Sequence, residues 1–199
     1  MTPHERLLDM LATRSARTGS FTLASGRHSN LYIDARLTTM SPDGLATIGP
    51  LALAALNESG WNPDAVGGLT LGADPVSYAI AHASSLAGTP VRAFTVRKEA
   101  KAHGTGKLIE GPFHSGDRTV VIEDVITTGG STKEVIDIVR AAGAIPLAAG
   151  SIIDRSGGAA DLGIPRAALE TLTVPVFVAA DCPMCLKGEP VTKPGSRPV

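Results

Sequence analysis

Glu123-Asp-Val-Ile-Thr-Thr-Gly-Gly-Ser131 is the stretch of this chain whose residue types and order could do chemistry. Thr127 to Ser131 offers backbone N–H groups, hydroxyls and the start of a helix, which together suit a phosphate. The carboxylates Glu123 and Asp124 repel a phosphate, so they should face hydroxyls or a cation. A phosphate beside a diol describes a phosphorylated sugar. Both acids can face one sugar only if the strand before them has ended, because neighbouring strand residues point to opposite faces. An ordinary strand–turn–helix with surface acids is the competing reading, and the motif's context weighs against it.

Three further segments could serve the same chemistry. Gly67-Gly-Leu-Thr-Leu-Gly72-Ala73 again places small residues between a strand and a helix, where Gly72 and Ala73 would let backbone N–H groups approach an anion. Alone this is as well read as a plain βα turn; beside the first cradle it fits a pyrophosphate. Arg97 to Lys107 is a polar interruption in which four of eleven residues are Arg or Lys. Loops of that length inside a compact domain are usually functional, and its cations suit a polyanion, although a solvated surface loop is the ordinary alternative. Arg155 closes another strand and suits bidentate recognition of a carboxylate; an ion pair with Asp154 or Asp161 is the alternative.

The elements that must position these groups alternate. A first helix is expected over Pro3 to about Arg17, opened by a Thr2/Glu5 capping box with Leu7, Leu8 and Leu11 inward. Two short strands, Phe21–Leu23 and Leu31–Asp34, flank a polar turn, and a helix runs from Ser41-Pro42 to about Asn57. Strands then follow at 65–69, 91–96, 119–123, 147–153 and 168–172, with helices at 75–87 and from near Ser131. Thr119 to Ile122 is apolar or β-branched, as in a strand buried on both faces. Val135, Ile136, Ile138, Val139 and Ala142 share one face of the helix after it. This alternation implies an α/β fold, a mostly parallel central sheet flanked by helices. Residues 1–40 form a small N-terminal hood segment of helix and strands, 1–199 one domain, and 188–199 a flexible tail.

The bulk properties narrow the function classes. A chain of 199 residues with 43% hydrophobic and 19% charged residues is ordinary for a soluble globular domain. A net charge of −1 gives no basic footprint for nucleic acid or anionic membrane. No apolar run reaches transmembrane length, and Met1 to Arg6 lacks a signal-peptide layout, so a cytoplasmic location is the default. Cys182-Pro-Met-Cys185 has zinc-ligand spacing but only half a site, with no His pair to complete it. Reduced thiols of minor structural role are expected there, with an inter-subunit metal site and redox chemistry as alternatives. His4, His82 and His114 have no ligand-spaced partner and read as surface or capping residues.

With these residues in view, the chain resembles the type I phosphoribosyltransferases, and within them the orotate phosphoribosyltransferases. The acid-acid-x-x-Thr-x-Gly run at 123–129 matches the superfamily's motif for 5-phosphoribosyl 1-pyrophosphate. Phe21-Thr-Leu-Ala-Ser-Gly-Arg-His-Ser29 with Tyr32-Ile-Asp34, the loop Arg97 to Gly104, and Asp154-Arg155 carry the likeness to the orotate subclass, over about residues 5 to 175. The resemblance implies transfer of the phosphoribosyl group to orotate, giving orotidine 5′-monophosphate and pyrophosphate, with Mg²⁺ as cofactor and Asp124 as its possible protein contact. It implies that Thr127 to Ser131 (Thr128, Gly129 and Gly130 between) cradle the 5′-phosphate, that Val125 and Ile126 also bind the activated sugar, that Glu123 and Asp124 engage the ribose as catalytic residues, and that Gly72 and Ala73 meet the pyrophosphate. Arg97, Lys98, Lys101 and His103 would bind and cover the pyrophosphate, Lys101 and His103 acting catalytically in the neighbouring subunit of a homodimer. Thr127, Arg155, Tyr32 and Ile33 would contact orotate. One departure is Ala24, where the family often has Lys. A phosphoribosyltransferase for another base, and a non-catalytic regulator sensing the activated sugar, are the rival readings.

Overall fold

A computed structural model of the chain describes residues 1–23, 26–99 and 107–194, with a six-stranded sheet and a separate two-stranded pair in the hood. Helix α1 (Pro3–Met10) has the expected capping box: the Glu5 amide donates to Thr2 Oγ1 (3.2 Å) and the Thr2 amide to Glu5 Oε2 (2.7 Å). The helix was expected to reach Arg17. Instead it passes at Leu11 into a π-helical turn (Leu11–Ser15), and strand β1 (Ala16–Thr22) begins at once. The reason is long-range: Ala16 pairs with Ile33 on β2 (His28–Ile33), and the Asp34 amide donates to the Ser15 carbonyl. Pairing with β2 outweighs one more turn of helix. Leu7, Met10 and Leu11 are buried, so Met10 takes the inward place expected for Leu8. Both hood strands begin earlier than expected, and they form a separate antiparallel pair.

After a short turn of helix α2 (Arg36–Thr39) comes α3 (Pro42–Ser59), capped by Ser41 Oγ. The alternating region follows as β3 (Ala65–Leu69), α4 (Ala73–Leu86), β4 (Arg92–Val96), β5 (Ile109–Glu110), β6 (Arg118–Ile126), α5 (Gly130–Ala141), β7 (Ile145–Asp154) and β8 (Arg166–Thr171). The sheet order is β5-β4-β3-β6-β7-β8, parallel throughout except for β5, a two-residue antiparallel edge absent from the sequence expectation. The α/β class and the mostly parallel sheet are as expected.

Strand alternation divides the core in two. Val66, Val120, Ile122, Ala148 and Ile152 face α1, α3 and α4, while Ala65, Val121 and Ala149 face Val135, Ile136 and Val139 of α5. Ala142, placed on that apolar face by its spacing, is exposed because α5 ends at Ala141. Strands covered on both faces are why β3 and β6 read as apolar runs. No helix among the described residues is long and apolar enough to cross a membrane.

The chain's last part returns to the hood. His28 and Phe177 exchange backbone hydrogen bonds of 2.8 Å, and Thr192 accepts from Thr22 and donates to Ser20, each at 2.9 Å. The segment 188–199 was expected as a tail, yet at Thr192 it lies beside β1.

Candidate active site

The carboxyl ends of β3, β6 and β7 lie at one edge of the sheet, where open α/β folds bind ligands. β6 keeps company with β3 only to Ile122, opposite Gly68, but stays paired with β7 through Ile126. The strand therefore runs past both acids, and the condition that it end before them is not met. Glu123 and Asp124 nevertheless line one cleft, because the chain at β3 has turned away after Leu69 and leaves that side of β6 open.

This cleft, of about 400 Å³, is bounded by Tyr32, Lys98, Gly72 and Ser131 as well as the two acids. Gly72 lies close against one of the acids: a Cβ there would fall 2.8 Å from Asp124 Oδ1. Glu123 is only 7% exposed, and Ser131 Oγ donates to its Oε2 at 2.8 Å. Burial, reinforced by the charge of Asp124, pushes the Glu123 carboxyl up to about 7. A carboxylate balanced there gains from a partner that fixes its charged form, such as a hydroxyl donor or a cation.

A second cleft of about 480 Å³ adjoins the first and shares Tyr32, Ile33, Val125 and Ser131 with it. Its wall is the turn Thr127 to Ser131. Gly129 stands at the N-cap of α5 with φ 80°, a left-handed conformation that favours glycine. A Cβ there would also lie 2.5 Å from Leu162 Cδ2. No side chain caps α5, so its N-terminal N–H groups, carrying the positive end of the helix dipole, open on the cleft.

Arg155 lines the same cleft. It is 4% exposed; its Nη2 donates to Ser29 Oγ (2.9 Å) and the Leu31 carbonyl (3.0 Å), and its Nε has no partner. Neither Asp154 nor Asp161 pairs with it: Asp154 accepts from Arg166 Nε at 3.1 Å. Among the described residues Arg155 has no counter-ion, and burial alone lowers its pKa. A buried, uncompensated guanidinium with an idle N–H calls for an anion.

Most of the residues singled out in the sequence therefore meet in two adjoining clefts. Ile126 does not: it is 1% exposed and packs against the α5 side of the core, because β6 continues through it. Ala73 is wholly buried and can offer only its backbone at the start of α4. Arg97 reaches Glu110 at 3.4 Å rather than lining either cleft. Lys101 and His103, and the departure at Ala24, lie outside the described residues. The sequence reading missed Arg36, which lines the first cleft while paired with Asp34 (2.8 Å), and Lys193 and Pro194, which line the second. A cation two residues after Tyr32-Ile-Asp34 was the available signal for Arg36. Lys193 had none, since only the return of the chain to β1 brings it there.

No family model matches the chain. Among curated proteins, the orotate phosphoribosyltransferase of Rhodopirellula baltica is 40% identical over 172 residues, covering 84% of this chain and 89% of that protein. Among solved structures, Mycobacterium tuberculosis orotate phosphoribosyltransferase with Fe(III) dicitrate superposes with a TM-score of 0.73 and 36% identity, over 86% of this chain and 97% of that one. The same enzyme with 5-phospho-α-D-ribosyl 1-diphosphate matches at TM-score 0.68 and 32% identity, over 85% and 89%. Sequence likeness over most of both chains and a shared fold lead to one assignment: this chain belongs to the orotate phosphoribosyltransferases.

Proposed function

We propose that the chain transfers the 5-phosphoribosyl group of 5-phosphoribosyl 1-pyrophosphate to orotate, releasing pyrophosphate and forming orotidine 5′-monophosphate, a step of pyrimidine biosynthesis. The observation that carries this reading is Arg155: a buried cation without a counter-ion opens on the same cleft as the uncapped start of α5. One cleft thus brings together a guanidinium, a group suited to a carboxylate, and a helix N-terminus suited to a phosphate. Orotate carries such a carboxylate; uracil and the purine bases do not.

In this reading the α5 N-terminus from Thr127 to Ser131 holds the 5′-phosphate. Glu123 and Asp124 accept from the ribose hydroxyls, and Arg155 fixes the base with Tyr32 and Ile33 against it. A ring nitrogen of orotate attacks C1′ as the C1′–pyrophosphate bond breaks through an oxocarbenium-like state. No protein nucleophile is needed, so the residues contribute positioning and charge. Gly72 and the backbone of Ala73 adjoin the pyrophosphate, with Lys98, Arg97, Lys101 and His103 as its cations. The hard oxygens of Asp124, facing Gly72 across the cleft, fit Mg²⁺ shared with substrate phosphates. When bound, Mg²⁺ neutralises charge on the leaving pyrophosphate. The proposal extends to a single-domain cytoplasmic homodimer whose Lys101 and His103 serve the neighbouring subunit; family resemblance supports that part.

The test is Mg²⁺-dependent pyrophosphate release with orotate, uracil, adenine, hypoxanthine and xanthine supplied separately. Release with orotate alone is expected. Release with a purine would keep the phosphate site and overturn the base assignment, while none from folded protein that binds the activated sugar would favour a regulator.

A further inference from the structure

Away from both clefts, the fold completes the half-site that Cys182 and Cys185 form in sequence. His28, which opens β2, approaches Cys185: its Nδ1 lies 3.2 Å from the Cys185 sulfur. The two sulfurs and one ring nitrogen of His28 lie within 4.8 Å of one another. A tetrahedral zinc ion with sulfur at 2.3 Å and nitrogen near 2.0 Å sets its ligands about 3.5–3.8 Å apart, so small side-chain movements complete the geometry. The Cys185 amide also donates to the Cys182 sulfur at 3.3 Å.

The surroundings say why a cross-link belongs here. From Thr171 to Pro194 the only buried residue is Cys182. Its neighbours include Val178 and Leu186, 48% and 75% exposed, so apolar packing does little to hold this segment. Its regular structure amounts to a three-residue 3₁₀ turn (Ala179–Asp181) and the four-residue helix α6 (Pro183–Leu186). Yet the segment must be held, because Lys193 and Pro194 line the cleft that contains Arg155. On the other side of the cluster, Ser29, adjacent to His28, accepts from Arg155.

We propose that Cys182, Cys185 and His28 bind one Zn²⁺ per chain, fastening the C-terminal segment to β2 and so holding Lys193 at the second cleft. Two thiolates and an imidazole select zinc over the hard Mg²⁺ of the reaction. No further His, Cys, Asp or Glu joins the cluster among the described residues, so water takes the fourth position. The ion acts as a staple and takes no part in the transfer.

The full-length protein, gel-filtered under reducing conditions, should carry about one zinc per chain by elemental analysis. Exchange with Co²⁺ should give thiolate-to-metal charge transfer and the ligand-field bands of a tetrahedral site. Cys185→Ser should abolish both signals and His28→Ala should weaken them, with circular dichroism confirming that each variant folds. Removing the metal should lower the Tm of the unaltered protein and leave that of Cys185→Ser unchanged. Metal-free protein that takes up neither Zn²⁺ nor Co²⁺ when supplied, whether its thiols are free or joined, overturns the site on the unaltered chain alone. Half a zinc per chain places the ion between two copies and overturns it equally, as does full metal content in Cys185→Ser.

Discussion

Replacing Glu123 by Gln should make the free protein more stable at alkaline pH while impairing it as an enzyme. The buried Glu123 carboxyl stands near pH 7, against an ordinary 4.5, through burial and then the adjacent Asp124. The folded state therefore holds this proton more tightly than the unfolded chain. Its stabilising effect is complete below about pH 4.5 and is lost as pH rises through about 7. At about 1.4 kcal/mol per pKa unit the full interval is worth about 3 kcal/mol, of which about 2–3 kcal/mol falls between pH 5 and pH 8. Gln has no proton to lose, and its carbonyl oxygen can still accept from Ser131 Oγ, which donates to Glu123 at 2.8 Å. Urea unfolding of both ligand-free proteins across this range is the assay. The stability of E123Q relative to the unaltered chain should rise by about 2–3 kcal/mol from pH 5 to pH 8. Parallel pH profiles would refute the assignment of a buried, proton-retaining Glu123. At pH 8 the variant should also bind the activated sugar more weakly, since a neutral amide attracts neither a hydroxyl proton nor a cation as strongly.

Other perturbations separate the parts of the site. Arg155→Ala removes the buried cation, and truncating one side of such a charge pair costs about 2–5 kcal/mol. Orotate affinity should fall roughly thirtyfold or more while affinity for the activated sugar holds; equal losses measured by titration calorimetry would point to a structural role. Gly129→Ala forces a side chain into a left-handed conformation, at about 1–2 kcal/mol, and against Leu162. It should lower Tm and phosphate affinity together, and a variant unchanged in both would show that the turn is not the cradle. Lys101→Ala should reduce turnover with little change in Tm. If the loop acts in trans, mixed Lys101→Ala and Arg155→Ala subunits should regain some activity; none after verified subunit exchange would argue against sharing.

Local order made much of this protein legible. The apolar run at 119–122, the paired acids, the hydroxyls and the glycines sit in consecutive positions, so a strand, a turn and a helix follow from neighbours along the chain. The same holds for the Thr2/Glu5 capping box and for Ser41 before Pro42, and the α/β class follows from their alternation. Elements ended elsewhere than expected where a distant partner decided. β2 cut short the first helix at Ser15, and continued pairing with β7 carried β6 through both acids to a buried Ile126.

The state of the charged groups was a tertiary matter. Arg155 is free for a ligand because Arg166, brought opposite Ala149 by the β7–β8 register, takes Asp154. Sequence adjacency suggested the wrong pair, since consecutive side chains at a strand end diverge. Likewise Cys185 meets a histidine 157 positions away, a distance that no ligand-spacing rule spans. Residue types and their short-range order determined which chemistry this chain could do. Folding decided which charges are neutralised, which are buried unpaired, and which distant residues share a site, because those depend on distances that only packing sets.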